Sequence, residues 1–214
     1  MTRAVVLLFL AVAVWAADVK VDNEFVRVQV SSSQPRGKTE PHKHDLNRVL
    51  VYLDAGEFQV RQANGFTDKK VRRAGEVSWS PAGGMHSCEN LLGTALRTVE
   101  VELKKPPSGR PFRISSRDPL KADPKHYSVE LENSQVRVMR VLYPANYQEP
   151  LHEHFGSGRI TIPVGDVEVK VATEGSAVRD AKYKAGDATW NAGPIVHGVQ
   201  TGRTPAEMIV IELK

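Results

Sequence analysis

The chain has 214 residues, 41% of them hydrophobic and 25% charged, enough apolar material for one large or two small globular domains and too much for wholesale disorder. The net charge of +4 is scattered, with basic residues clustered only in pairs such as Arg72-Arg73 and Lys104-Lys105. No basic stripe is interleaved with aromatic residues, which argues against a nucleic-acid partner, and the single cysteine, Cys88, excludes an internal disulfide framework.

The chain opens with Met1-Thr2-Arg3 and an unbroken apolar run from Ala4 to Ala16, closed by Asp18 and Lys20. A membrane span needs about 20 apolar residues. This run has instead the length and flanks of a secretory signal peptide, residues 1–16, with Val14 and Ala16 as the small residues of a cleavage site after Ala16 or, alternatively, after Ala17. An uncleaved N-terminal anchor is the other reading. Both place the folded part outside the cytoplasm, secreted or periplasmic, and cleavage leaves no stable membrane insertion.

The remaining chain repeats itself at a spacing of about 110 residues. Phe25-Val26-Arg27-Val28 is answered by Gln135-Val136-Arg137-Val138, His42-Lys43-His44 by His152-Glu153-His154, and Arg48 by Arg159. Ala74-Gly75-Glu76 with Trp79 is answered by Ala185-Gly186-Asp187 with Trp190, and His86 by His197. Such self-similarity predicts two copies of one domain, residues 18–105 and 126–214. The stretch between them, 106–125, carries Pro106, Pro107, Pro111, Pro119 and Pro124, which prevent a continuous helix or a central strand and predict a surface linker. Within each copy, short alternating segments such as Glu24–Val30, Leu96–Leu103, Glu168–Val171 and Glu207–Leu213 predict strands, and no segment beyond the N-terminal run holds a helical period. The expected class is all-β, a sandwich or jelly-roll barrel per copy. Gly75 and Gly186 each precede a strand, where a tight turn with positive φ is expected.

Six of the seven histidines fall into two matched sets, His42, His44, His86 and His152, His154, His197, leaving His126 over. Alternate residues of a strand face the same way, so each His-x-His pair presents two imidazoles side by side, and a third from a distant strand can close a triad around one ion. Imidazole suits several transition metals, and three protein ligands leave coordination positions open for substrate or water. The bland reading is that the histidines are inherited barrel residues without metal.

These residues carry a family resemblance. Gly75, Pro81, Gly83, His86 and Asn90 match the second cupin motif, G-x5-P-x-G-x2-H-x3-N, at every fixed position, and His42 and His44 match the H-x-H of the first. The second copy repeats Gly186 and His197 but has Ala192, Pro194 and Thr201 where the motif has Pro, Gly and Asn. The chain resembles a bicupin over nearly all of its length after residue 17. The resemblance implies two tandem cupin-type jelly-roll barrels, each with a divalent transition metal (Fe, Mn, Zn, Ni or Cu), a small-molecule ligand and, as cupins often dimerise, a homodimer. The motif glutamate, usually a fourth ligand, is absent: Arg48 stands in its place in the first copy and Gly158 or Arg159 in the second. Arginine cannot ligate a metal, so the sites are similar to the three-histidine sites of iron-using cupin dioxygenases.

The even spacing of Arg48 from His44 points its guanidinium to the histidine face, where it would clamp a carboxylate or other anion; a turn at Asp45–Asn47 would instead send it to solvent. Cys88 shares the parity of His86, but its counterpart is Val199, which favours a small buried hydrophobe over a metal-binding or redox thiol. Trp79 and Trp190 are expected in the core. Two functions follow: an exported metal-dependent, dioxygenase-like enzyme acting on a small organic molecule, or a non-enzymatic cupin that binds or senses a small ligand or metal.

Overall fold

The computed structural model describes residues 16–109, 111 and 114–214. The expected signal peptide lies outside these residues except for Ala16. The first half contains β1 (Ala16–Asp22), β2 (Val26–Ser33), β3 (His42–His44), β4 (Arg48–Tyr52), β5 (Gly56–Gln62), β6 (Thr67–Arg72), β7 (Val77–Ser80), β8 (Gly83–Asn90) and β9 (Leu96–Leu103). They form two antiparallel sheets, ordered β1-β2-β9-β4-β7 and β3-β8-β5-β6. A one-turn helix, α1 (Pro119–Ala122), follows in the linker. Proline opens it, where no N–H is needed, and the Asp118 side chain accepts from Leu120 N at 3.0 Å.

The second half repeats the plan with β10 (Tyr127–Glu132), β11 (Val136–Tyr143), β12 (His152–His154), β13 (Gly158–Pro163), β14 (Val167–Thr173), β15 (Arg179–Tyr183), β16 (Thr189–Ala192), β17 (Ile195–Thr201) and β18 (Ala206–Leu213). Its sheets are ordered β10-β11-β18-β13-β16 and β12-β17-β14-β15. Each half is a jelly-roll barrel, as the alternating segments predicted.

Strand β9 spans the expected residues, whereas β2 starts two residues later than expected. Asn23 Oδ1 accepts from Phe25 N and Val26 N at 2.8 and 2.9 Å, so Glu24 and Phe25 belong to a turn that Asn23 holds. Asn133 does the same for Gln135 and Val136. Strand β1 was not expected, because its first residues read as the end of the apolar run.

The period-two alternation has an unexpected destination. Val26 and Val28 of β2, Val49 and Val51 of β4, and Val99, Val101 and Leu103 of β9 do not face their own barrel. They meet Val136 and Val138 of β11, Ile160 and Ile162 of β13, and Ile209, Ile211 and Leu213 of β18 in one shared core between the two five-stranded sheets. Trp79 and Trp190 pack against its margin, and Trp190 stacks on Phe25 with ring centroids 5.4 Å apart. Gly75 and Gly186 adopt φ of +76° and +85°, as expected for their turns. Each turn reaches the opposite barrel: Arg140 Nη2 donates to Gly75 O at 2.6 Å, and a methyl group on Gly186 would lie 2.6 Å from Leu53 Cδ1.

The intervening residues of these strands line the barrel interiors, and here the halves diverge. The second fills its interior with an apolar cluster that includes Tyr127, Met139, Val141, Tyr143, Met208 and Val210. The first has Ala17, Gln29, Ser31 and Glu100 on its walls and encloses a cavity of about 640 Å³. Strand register makes the difference legible, since Ala17 pairs with Ser31 in the first barrel and Tyr127 with Val141 in the second. Small and polar side chains leave open what tyrosine and valine close.

Candidate metal centres

The structure brings together all six histidines, three in each barrel. Strand β3 pairs with β8, setting His42 opposite His86, and β12 pairs with β17, setting His152 opposite His197. The short strands β3 and β12 put the two histidines of each pair on one face. In both triads the candidate ligand atoms lie within 4.8 Å of one another. Ring centroids are 5.0, 4.6 and 5.4 Å apart in the first and 4.7, 4.4 and 5.1 Å in the second.

The first triad is half-buried and opens into the 640 Å³ cavity. His42 Nδ1 lies 2.8 Å from Glu40 O, and His86 Nδ1 lies 3.1 Å from Gly84 O. A carbonyl can only accept, so both rings donate from Nδ1, and Nε2 is the nitrogen left to turn toward an ion. Burial, reinforced by the Arg48 charge, lowers the pKa of His44 to about 4, so this ring is neutral near pH 7. Three imidazoles with converging nitrogens are a donor set that fits a divalent transition metal.

Arg48 points into the barrel rather than to solvent, and it does not stand alone there. Its Nη1 donates to Glu100 Oε2 at 2.7 Å and its Nη2 to Ser80 Oγ at 3.0 Å, while Ser31 Oγ donates to Glu100 Oε1 at 2.5 Å. Its buried Nε has no hydrogen-bond partner among the described residues. Nothing in the local sequence marks Glu100, because alternation locates β9 without showing which environment each of its faces meets. The repeat held the signal, since the matching residue of the second copy is Val210. Burial raises the Cys88 thiol to about 11, so it is protonated at neutral pH and lines the cavity as a small neutral side chain.

Away from the imidazoles the cavity wall is aromatic and aliphatic, with Leu50, Tyr52, Phe58, Val60 and Trp79, and Lys70 and Arg72 also line it. The Arg72 guanidinium lies over the Tyr52 ring, 5.2 Å from its centroid, and donates to Glu76 at 2.9 Å.

The second triad is fully buried. His154 Nδ1 donates to Glu212 Oε1 at 2.6 Å, and Glu212 also accepts from Arg137, which reaches Asp118 beside α1 at 2.8 Å. His152 Nδ1 lies 3.2 Å from Pro150 O. Glu149 accepts from both Tyr127 and Tyr143, and its other oxygen takes Val199 N at 2.8 Å. In the first barrel the corresponding backbone amide, Cys88 N, is taken by Thr39 Oγ1 at 2.8 Å. Burial lowers the pKa of His152 to about 4 and raises that of Glu149 to about 7. Arg159, which the sequence left unplaced, donates from Nη1 to His197 Nε2. Tyr127, Tyr143, Glu149 and Glu212 were not singled out from the sequence, since they come from four separate strands or loops with no local motif.

No family model matches the sequence, and no curated protein matches it either. Solved structures do match in fold. AerE from Microcystis aeruginosa is 15% identical with a TM-score of 0.66, over 94% of this chain and 98% of that one. A cupin 2 conserved barrel domain protein from Leptotrichia buccalis is 13% identical with a TM-score of 0.60, over 94% and 90%. A variant of salicylate 1,2-dioxygenase from Pseudoaminobacter salicylatoxidans, in complex with gentisate, is 11% identical with a TM-score of 0.67, over 95% and 76%.

Proposed function

We propose, for a chain that has the bicupin fold with a histidine triad in each barrel, that the first barrel is a metal-dependent, dioxygenase-like active site for a small organic molecule. The observation that carries this reading is the opening of three converging imidazoles onto a cavity of about 640 Å³, within the usual range for small-molecule sites. His42, His44 and His86 would hold the ion. Once bound, it supplies Lewis acidity and, if redox-active, a means of using dioxygen. The backbone carbonyls of Glu40 and Gly84 aim the imidazoles. Glu100 and Ser80 fix the Arg48 guanidinium, whose positive charge beside the triad would draw a carboxylate or other anion on the substrate. Tyr52 and Phe58 would hold a flat apolar body.

Glu100 is the only carboxylate among the described cavity-lining residues, and both its oxygens are engaged. That favours a second reading, a cupin that binds or senses a ligand without transforming it. The two readings part on oxygen uptake by the metal-loaded protein across catechols, diketones and carboxylates. Turnover of one of them supports the enzyme, and binding without turnover supports the module. Arg48→Ala is expected to weaken a carboxylate ligand about tenfold or more while metal stays bound, in line with one charge-assisted hydrogen bond; unchanged affinity for every carboxylate removes Arg48 from the site. The export of the folded part is a further part of this proposal, supported by the run from Ala4 to Ala16.

A further inference from the structure

We propose that the second triad holds no metal ion, because the Arg159 guanidinium takes its place as an internal cation, so that the chain binds one divalent ion and not two. The count of one rests on the reading of the first triad as a metal centre; the exclusion from the second does not.

Register makes Arg48 and Arg159 equivalent, since Arg48 pairs with Glu102 and Arg159 with Glu212 on the matching strands β9 and β18. Their side chains part company over one residue. Arg48 is drawn to Glu100, two places along β9, but the matching position of β18 is Val210, an apolar core residue. With no carboxylate there, Arg159 extends to the triad and donates to His197 Nε2. A guanidinium offers only N–H groups, so the lone pair that accepts from it is not free for an ion.

The surroundings hold it there. Arg159 is 94% buried, being 6% exposed, and the free space beside it is about 70 Å³, roughly a ninth of that in the first barrel. Tyr127 stands where the first barrel has Ala17, and Glu149 where it has Thr39, so the volume into which the guanidinium could withdraw is filled. A divalent ion at the triad would face that positive charge at close range in a buried, poorly screened setting. The sequence departs from the second cupin motif in this half alone, at Ala192, Pro194 and Thr201. The histidines remain as members of a structural network, in which His197 accepts from Arg159 and His154 donates to Glu212, itself held by Arg137 and through it joined to Asp118.

The test is a Co(II) titration of the metal-stripped full-length chain, read by the cobalt absorption bands and by metal content after dialysis. The wild type is expected to take up one equivalent, His42→Ala none, and Arg159→Leu one more than the wild type. His42 is half-exposed, so its replacement leaves the folded core untouched. Two equivalents in the wild type, or one retained by His42→Ala, overturn the proposal. So does an Arg159→Leu chain that keeps its circular dichroism spectrum yet gains no ion. A wild type that takes up none defeats the metal reading of the first barrel alone, and a gained equivalent in Arg159→Leu then still supports the exclusion.

Discussion

Thr39 and Glu149 occupy equivalent positions and perform the same task, accepting from the backbone N–H of Cys88 and of Val199. The exchange of a hydroxyl for a carboxyl nevertheless gives the second barrel a titration the first lacks. Burial raises the Glu149 pKa to about 7, against hydrogen bonds from Tyr143, Tyr127 and Val199 N that lower it, with Asp123 adding to the rise. The folded state therefore keeps a proton that the unfolded state, with a pKa near 4.5, has released. The stability contributed by this group is fully present below about pH 4.5 and is lost as the pH rises to about 7. His44 and His152 act in the opposite sense, contributing stability above pH 6.5 that is lost as the pH falls to about 4. Glu149→Gln isolates the first effect. Its denaturation midpoint, subtracted from that of the wild type at each pH, is expected to show the wild-type advantage shrinking between pH 4.5 and 7. A difference that stays flat across this window would show that Glu149 does not titrate there.

At the scale of the element, the strands were legible and their orientation was not. Alternation located β9 to the residue and β18 within one, because period two is a property of the strand itself. It does not say which of two apolar environments each face meets. Val99, Val101 and Leu103 look like a barrel's own core, and they face the other barrel. The histidine triads were legible because the repeat displayed them twice. Glu100 and Glu149 were not, since each gains its role from a partner strand distant in sequence. The turns were legible through their glycines, and the turn at Gly186 carries a prediction. With φ at +85° and Leu53 Cδ1 2.6 Å from where a Cβ would stand, Gly186→Ala combines left-handed strain with a contact between the barrels. The expected cost is about 1–2 kcal/mol from the backbone alone, with the clash adding to it, measurable by urea denaturation. A neutral substitution would mean that the turn relaxes away from Leu53.

For the whole molecule, one core serves two barrels. Ile211 is fully buried among side chains of both halves, so Ile211→Ala is expected to destabilise by about 2–5 kcal/mol. Because the lost contacts belong to both, the chain should still unfold in one transition by every probe, with tryptophan fluorescence following Trp79 and Trp190 together. Two separated transitions would show that the barrels fold independently.

The shared core also separates two kinds of selection along a single strand. On β9, Val99 and Val101 answer to folding, while Thr98 and Glu100, one step away on the other face, border the cavity. The wall that would meet a ligand is thereby largely relieved of holding the two barrels together. Changes at Thr98 would alter the cavity of the first barrel while leaving the shared core of Val99 and Val101 as it is. The second barrel, with about a ninth of the free space of the first, presents the more closely packed face to that shared core.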